Sequence, residues 1–304
     1  MPAAALRALL QHTIDYAGLF PPASLTLEPA LQNHAEYVRN PDSWMLGAFV
    51  LPVNQFEGAA AGISQFDKEN PLQISALGTK TGSAAEFLTS LSTLVRAVHA
   101  LSAGNSEELA VTQFEAPLPS EPNADLLAET RSISGELPAF LELNADAAEG
   151  TIALLAAHNA TTSSRPFGFK LRTGGIIASA FPSSAQIATA LVAAAKHHLP
   201  IKFTAGLHHP VRKFHASVET KMHGFLNVLG AGVLAAEHGW DVKLTSAMLE
   251  DEDAGAFSFD DKRFRWREWE ITTDQIHVRR EIVTSFGSCS FDEPREDLRA
   301  LNLL

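Results

Sequence analysis

Residues 166–204 read PFGFKLRTGGIIASAFPSSAQIATALVAAAKHHLPIKFT, and this stretch decides the fold. In the short run Gly168–Arg172, Phe169 and Leu171 share one parity and Lys170 and Arg172 the other, the period-two signature of a strand. Ser183 stands before a run of good helix formers, Ser184–His197, where its hydroxyl can accept from the orphan backbone donors of a first turn. Pro200 closes that run, and Ile201–Thr204 reads as a second strand. Strand, helix and strand in this order make one β-α-β unit, whose strands run parallel.

The same unit recurs on both sides. Candidate strands are Thr13–Leu19, Met45–Leu51, Leu72–Gly78, Leu109–Glu115, Ala139–Asn144, the two above, and Gly224–Val228. Helical candidates fall between them at Glu28–Arg39, Phe56–Gln65, Ala84–Ala103, Ala124–Ser134 and Ala147–Asn159, with Gly232–His238 after the last. Eight strands alternating with helices predict closure into a single (β/α)8 TIM-type barrel. A doubly wound parallel sheet is the alternative, because alternation alone does not reveal closure. The His/Lys-rich stretch from Ala205 to Met222 reads as one long βα loop. From about Asp241 the pattern changes: AFSFDDKRFRWREWEIT, residues 256–272, predicts two alternating strands around Asp260-Asp261-Lys262, followed by a helix from about Thr273 to Phe286 that stops at Gly287. The expected organisation is therefore a barrel over 1–240 and a C-terminal hairpin-helix appendage over 241–304, packed on the barrel or on a partner subunit.

The 304 residues carry a formal charge of −12, which repels phosphate backbones and anionic lipid, so neither nucleic acid nor a membrane surface is an expected partner. A single cysteine, Cys289, rules out an internal disulfide and any multi-cysteine metal site. Nowhere do 18 apolar residues run together, and the N-terminal apolar run is broken by Arg7, so the expected compartment is the cytoplasm. A small-molecule substrate remains, with a homo-oligomer open through the Trp266/Trp269 hairpin and its interleaved arginines.

Barrel enzymes keep their reactive groups on inward-facing positions near the C-terminal ends of the strands. Parity places Lys170, Arg172, Glu142, Asn144, Gln113, Glu115, Lys202 and Thr204 there, with Asp15 and Asn227 added from the first and eighth strands. A barrel built only for stability would fill these layers with Val, Ile and Leu, since an unpaired inward charge costs several kcal/mol. Two readings compete: a self-satisfied ionic plug pairing Lys170, Arg172 and Lys202 with Glu115, Glu142 and Asp15, or a site for an anionic substrate. In the second reading Lys170 is either an electrostatic clamp on the anion or, because the neighbouring lysines lower each other's pKa and Arg172 adds to the effect, a neutral amine that attacks a carbonyl to form a Schiff base.

The pair FGFKLRTGG, 167–175, and IKFTAGL, 201–207, resembles the paired lysine strands of class I deoxyribose-phosphate aldolases, over about 16 residues. The resemblance implies that Lys170 is the Schiff-base residue, that Lys202 tunes it, and that Thr173-Gly174 belong to a substrate-phosphate loop. This chain departs from that pattern in carrying Arg172 beside the nucleophile, Glu115 in place of a strand-four aspartate, and a His-rich loop after the seventh strand.

That loop, AGLHHPVRKFH, brings His208, His209 and His215. Imidazole is both a common metal ligand and a common general base, so His208 is a candidate acid/base. His208 and His209 with Glu115 and Glu142 could also hold a divalent metal. Otherwise no cofactor is expected. Gly230, Gly232 and Ala235 match G-x-G-x-x-A, but they stand at the end of the repeats rather than in a first βα unit, so helix packing competes with dinucleotide binding. DYAGLFPPA, residues 15–23, leaves strand one through a double proline, as a rigid loop covering a site would.

The expected activity is lyase or aldolase-type chemistry on a small anionic carbonyl or hydroxy-acid metabolite, possible phosphorylation included. Lys170, Lys202, Glu142, Glu115 and His208 are the catalytic candidates, and Arg172, Thr173, Gly174, Thr204, Asn144, Asn227 and Asp15 the substrate-binding ones. A metal-dependent hydrolase, isomerase or lyase is the alternative, and a non-catalytic metabolite-binding barrel the third reading.

Overall fold

A computed structural model describes residues 1–103 and 107–304. Helix α1 (Ala4–Leu10) precedes strand β1 (Ile14–Tyr16). Strand and helix then alternate: α2 (Leu27–Tyr37), β2 (Leu46–Pro52), α3 (Phe56–Gly62), β3 (Leu72–Leu77), α4 (Ala84–Ser102), β4 (Leu109–Pro117), α5 (Ala124–Ser134), β5 (Ala139–Glu142), α6 (Ala148–Asn159), β6 (Phe167–Arg172), α7 (Ser184–His197) and β7 (Ile201–Thr204). A hairpin of β8 (Lys213–His215) and β9 (Thr220–Met222) occupies the long loop, followed by α8 (Phe225–His238) and α9 (Val242–Leu249). The chain ends with a three-stranded sheet of β10 (Phe257–Phe259), β11 (Arg263–Trp266) and β12 (Trp269–Thr272), then α10 (Thr273–Arg279), β13 (Val283–Ser288) and α11 (Asp292–Ala300).

Eight parallel strands close in the order β1-β13-β7-β6-β5-β4-β3-β2, so the barrel is real and the doubly wound sheet is excluded. Closure runs through β13, which pairs with β1 (Ile14 with Phe286) on one side and with β7 (Phe286 with Phe203) on the other. Two expectations are corrected here. Gly224–Val228 is not the eighth strand but the start of α8, and the helix expected to end at Phe286 stops at Arg279, giving way to a strand. The boundary at 240 therefore does not separate barrel from appendage, since residues 241–304 supply the closing strand and its following helix.

The physical reason is burial. Residues Phe225 to Ala235 of α8 are all buried, packed between the strands and α9, so the helix shows no polar stripe to betray its period. Gly230 and Gly232 permit this packing: a Cβ at Gly230 would lie 2.6 Å from Met248 Cε, and one at Gly232 would lie 2.6 Å from Val283 Cγ2. The G-x-G-x-x-A pattern is thus a helix-packing surface. Asn227, fully buried, accepts from the Arg212 backbone N–H and donates to the carbonyls of Met248 and Asp251. It ties the loop before α8 to the C-terminal end of α9 and does not enter the barrel.

The Trp hairpin packs on its own chain. Phe264, Trp266 and Ile271 are buried, and Trp240 meets both Trp266 and Trp269. The interleaved arginines are paired, Arg263 and Arg265 with Glu270 and Arg267 with Asp251. No helix among the described residues is long and apolar enough to cross a membrane.

Candidate active site

Strand parity sets the site. Phe169, Leu171, Ile201 and Phe203 are fully buried outward against the helices, so Lys170 and Lys202, which are register partners, point inward at the same height. The loops leaving β6 and β7 are held together above them. Thr173 Oγ1 donates to the carbonyls of Thr204 and Ala205, and Gly206, at φ +78°, brings its backbone against Gly174 so closely that a Cβ there would sit 2.9 Å from Gly174 Cα. Thr173 and Gly174 are therefore loop ties. They shape the mouth beside Gly175, which lines it.

Inside the barrel, three carboxylates alternate with two ammonium groups. Lys202 Nζ lies 2.7 Å from Asp15 Oδ2 and 2.5 Å from Glu115 Oε1. Lys170 Nζ lies 2.6 Å from Glu115 Oε2 and 2.8 Å from Glu142 Oε2. Ser75 donates to Glu115 (2.6 Å), and Gln113 donates to Ser75 (3.1 Å). Ser285 and the Ala48 backbone N–H donate to Asp15, at 2.7 and 2.8 Å. Arg172 stands at the rim, its guanidinium Nε 3.8 Å from Glu142 Oε1 and its side chain half exposed. Every pairing expected of an ionic plug is thus present, but the upper end of the network opens into a cavity.

That cavity, about 310 Å³, lies at the C-terminal ends of the strands, its floor and walls formed by Lys170, Arg172, Thr204, His208, Gly287 and Cys289. Ala17, Phe20 and Pro21 also line it, so the loop leaving β1 does cover the site. Gly287, of the same parity as Ser285, is the inward residue of β13 at the level of the cavity, where a Cβ would approach Thr204 Oγ1 to 3.3 Å. Lys202, Glu115 and Asp15 are sealed beneath, all at most 3% exposed. Asn144 is not part of the arrangement: it is exposed and caps the turn after β5 through the Ala147 backbone N–H.

The protonation pattern reverses one expectation. Burial alone would lower both lysines, but the carboxylates outweigh it, Glu115 and Glu142 for Lys170 and Asp15 and Glu115 for Lys202, and hold both ammonium groups above the usual lysine range. Burial alone would raise Glu115, yet the two lysines hold it far below the usual carboxylate range. The lysines do not neutralise each other across the strands, because a carboxylate sits between them. Lys170 rests as a cation.

The loop histidines face α11. His208 Nδ1 lies 3.1 Å from Glu293 Oε2 and 3.9 Å from Cys289 Sγ; burial would lower this imidazole, but Cys289 and Glu293 push it up to about 9. His209 Nδ1 bonds Asp297 Oδ2 at 2.6 Å, and burial, with Lys213 adding, keeps it below the usual imidazole range. Among the described residues no three His, Cys, Asp or Glu side chains gather as a metal site would require, and the two histidines engage Glu293 and Asp297 rather than Glu115 and Glu142. Glu293 and Asp297 escaped the sequence reading although their i, i+4 spacing puts both on one face of α11, opposite two consecutive histidines.

His208 also sets a pH dependence. Its folded-state pKa of about 9 lies above the ordinary imidazole value of 6.5, so the stability it contributes is complete below pH 6.5 and is lost as pH rises through about 9. With Glu293 two-fifths exposed, screening reduces the expected effect to about 1–2 kcal/mol. Urea denaturation from pH 6 to 10 should show this decline in the native protein and a flatter profile in His208→Gln; parallel profiles would remove the assignment.

No protein-family model and no curated protein matches this chain.

Proposed function

We propose that the chain is an enzyme acting on a small anionic carbonyl or hydroxy-acid metabolite, by lyase or aldolase-type chemistry through a covalent adduct at Lys170. The reading rests on one observation: Lys170 lines the cavity at the catalytic end of the barrel while its ammonium lies between two carboxylates, Glu115 at 2.6 Å and Glu142 at 2.8 Å. Arg172 and the His208 imidazolium add two cationic groups to the same cavity, which favours an anionic ligand.

The chemistry follows from these positions. Lys170 passes a proton to Glu142, and the freed amine adds to the substrate carbonyl carbon. The carbonyl oxygen takes one proton from the attacking amine and one from Glu142 and leaves as water, giving an iminium. Breaking the carbon–carbon bond one position away sends its electron pair toward the iminium nitrogen as an enamine, while Glu142 accepts the proton of the hydroxyl that becomes the carbonyl of the departing fragment. The enamine carbon then takes a proton from His208, and water hydrolyses the iminium to free Lys170. Lys202, sealed below, is a positioning residue: it fixes Glu115 and Asp15.

Borohydride added with a panel of two- to six-carbon keto acids and hydroxy-aldehydes tests the reading. Reduction should fix a substrate-sized mass increment on the peptide bearing Lys170. No increment with any carbonyl compound, or one on surface lysines only, would overturn it. Ligand-dependent thermal stabilisation without capture or turnover would point instead to a binding barrel.

A further inference from the structure

A second cavity of about 190 Å³ adjoins the first, sharing Gly175, Ile176 and His208 as a common wall. Its other walls are His209, His215, Glu293, Val218 and Met222, with Ser217 and Pro22 at the edge. Two of its polar groups face each other without a proton between them. Asp297 can only accept, so His209 Nδ1 carries the imidazole proton and Nε2 presents a lone pair. That Nε2 is buried with no hydrogen-bond partner, and another acceptor, Glu293 Oε1, stands 4.0 Å away.

A buried acceptor left unpaired costs about 1–3 kcal/mol, and two acceptors confronting each other invite a donor. The donor that fits is neutral. Glu293 already bears the His208 imidazolium on its other oxygen, and Lys213 stands 3.7 Å from Asp297, so a second ammonium would be repelled. Val218, Met222, Ile176 and Pro22 supply apolar surface for a carbon chain beside the acceptors.

We infer that this lobe is a subsite for the hydroxyl-bearing tail of a substrate longer than three carbons, with His209 Nε2 and Glu293 each accepting from one of two neighbouring tail hydroxyls. The inference rests on the proposed function only for where the reacting carbonyl sits, over Lys170. It makes His209 a specificity determinant and assigns the substrate to the polyhydroxylated carbonyl acids or their phosphates.

The test uses acids without a ketone or aldehyde, so that binding is independent of capture at Lys170. Calorimetry compares gluconate, which carries a hydroxylated six-carbon chain, with glycolate, which has no tail. The native protein should bind gluconate about tenfold or more tightly than glycolate. His209→Phe, which keeps an aromatic ring against His215, should lose about tenfold for gluconate and nothing for glycolate. Should that variant unfold, Val218→Trp, which fills the lobe from a half-exposed loop position, should produce the same selective loss. Equal affinities in the native protein, or variants that weaken both acids alike or neither, would overturn the subsite. Selective gluconate binding with no borohydride capture would leave the subsite standing and remove the Schiff-base reading.

Discussion

Lys202→Met is expected to destabilise the fold by about 3–5 kcal/mol at pH 7, because it withdraws the ammonium that Asp15 and Glu115 share in a site with almost no solvent access. Both carboxylates approach the same Nζ within 2.7 Å, so without it they face each other at close range in a medium of low polarity. Ser285 and the Ala48 backbone N–H still serve Asp15, and Lys170 still serves Glu115, so the fold is weakened rather than abolished. The pH dependence gives a signature. In the native protein Glu115 is held far below the ordinary carboxylate value, so its contribution is present above that value and lost only in strong acid. In the variant a carboxylate is raised instead and takes up a proton more readily, so the gap between the two proteins should narrow as pH falls from 7 to 4. Urea denaturation at several pH values measures it. A loss below 1 kcal/mol, or a gap that widens in acid, would contradict the network.

Lys170→Met is expected to reduce turnover, and capture of a carbonyl compound by borohydride, on the order of 10³-fold or more. Lys170→Arg separates two roles. An arginine retains the positive charge and can still bridge Glu115 and Glu142, but it cannot form an iminium. Near-native binding of an anionic ligand without capture or turnover is the expected outcome for the arginine variant. Retained turnover in either variant would exclude a covalent role for Lys170 and leave it as an electrostatic clamp.

Parity along short strands was enough to read most of the barrel's interior. Lys170, Lys202, Glu115, Glu142 and Asp15 converge as period-two alternation requires, because any residue between Phe169 and Leu171, or between Ile201 and Phe203, must face away from the helices. The lysines' protonation was not legible. It depends on which carboxylates reach them from β1, β4 and β5, and one-dimensional spacing cannot show that Glu115 lies between the two amines. The eighth strand was not legible either. Phe225–Ala235 is apolar except for Asn227 and buried on every side, and such a run reads equally as buried strand or buried helix, whereas Val283–Ser288 mixes Thr, Ser and Gly and lies beside helical sequence. Misplacing that strand also carried Asn227 into the site and left Ser285, Gly287 and Cys289 out of it. Asn144 failed for a local reason, since β5 ends at Glu142 and the asparagine lies beyond the alternation.

The long stretch of chain between β7 and β13 bears on how the molecule is made. Asp15 and Ser285, hydrogen-bonded across the last seam of the barrel, are 270 residues apart in sequence. During synthesis β1 and β7 each wait with an unpaired edge while α8, α9, the Trp-bearing sheet and α10 emerge between β7 and its neighbour. Lys202 meanwhile lacks the serine that steadies its aspartate, and the loop histidines lack the carboxylates of α11. Ring closure and assembly of the reactive centre are consequently the same late event on the ribosome, and a nascent chain halted before residue 283 is an open sheet carrying charges in its concave face.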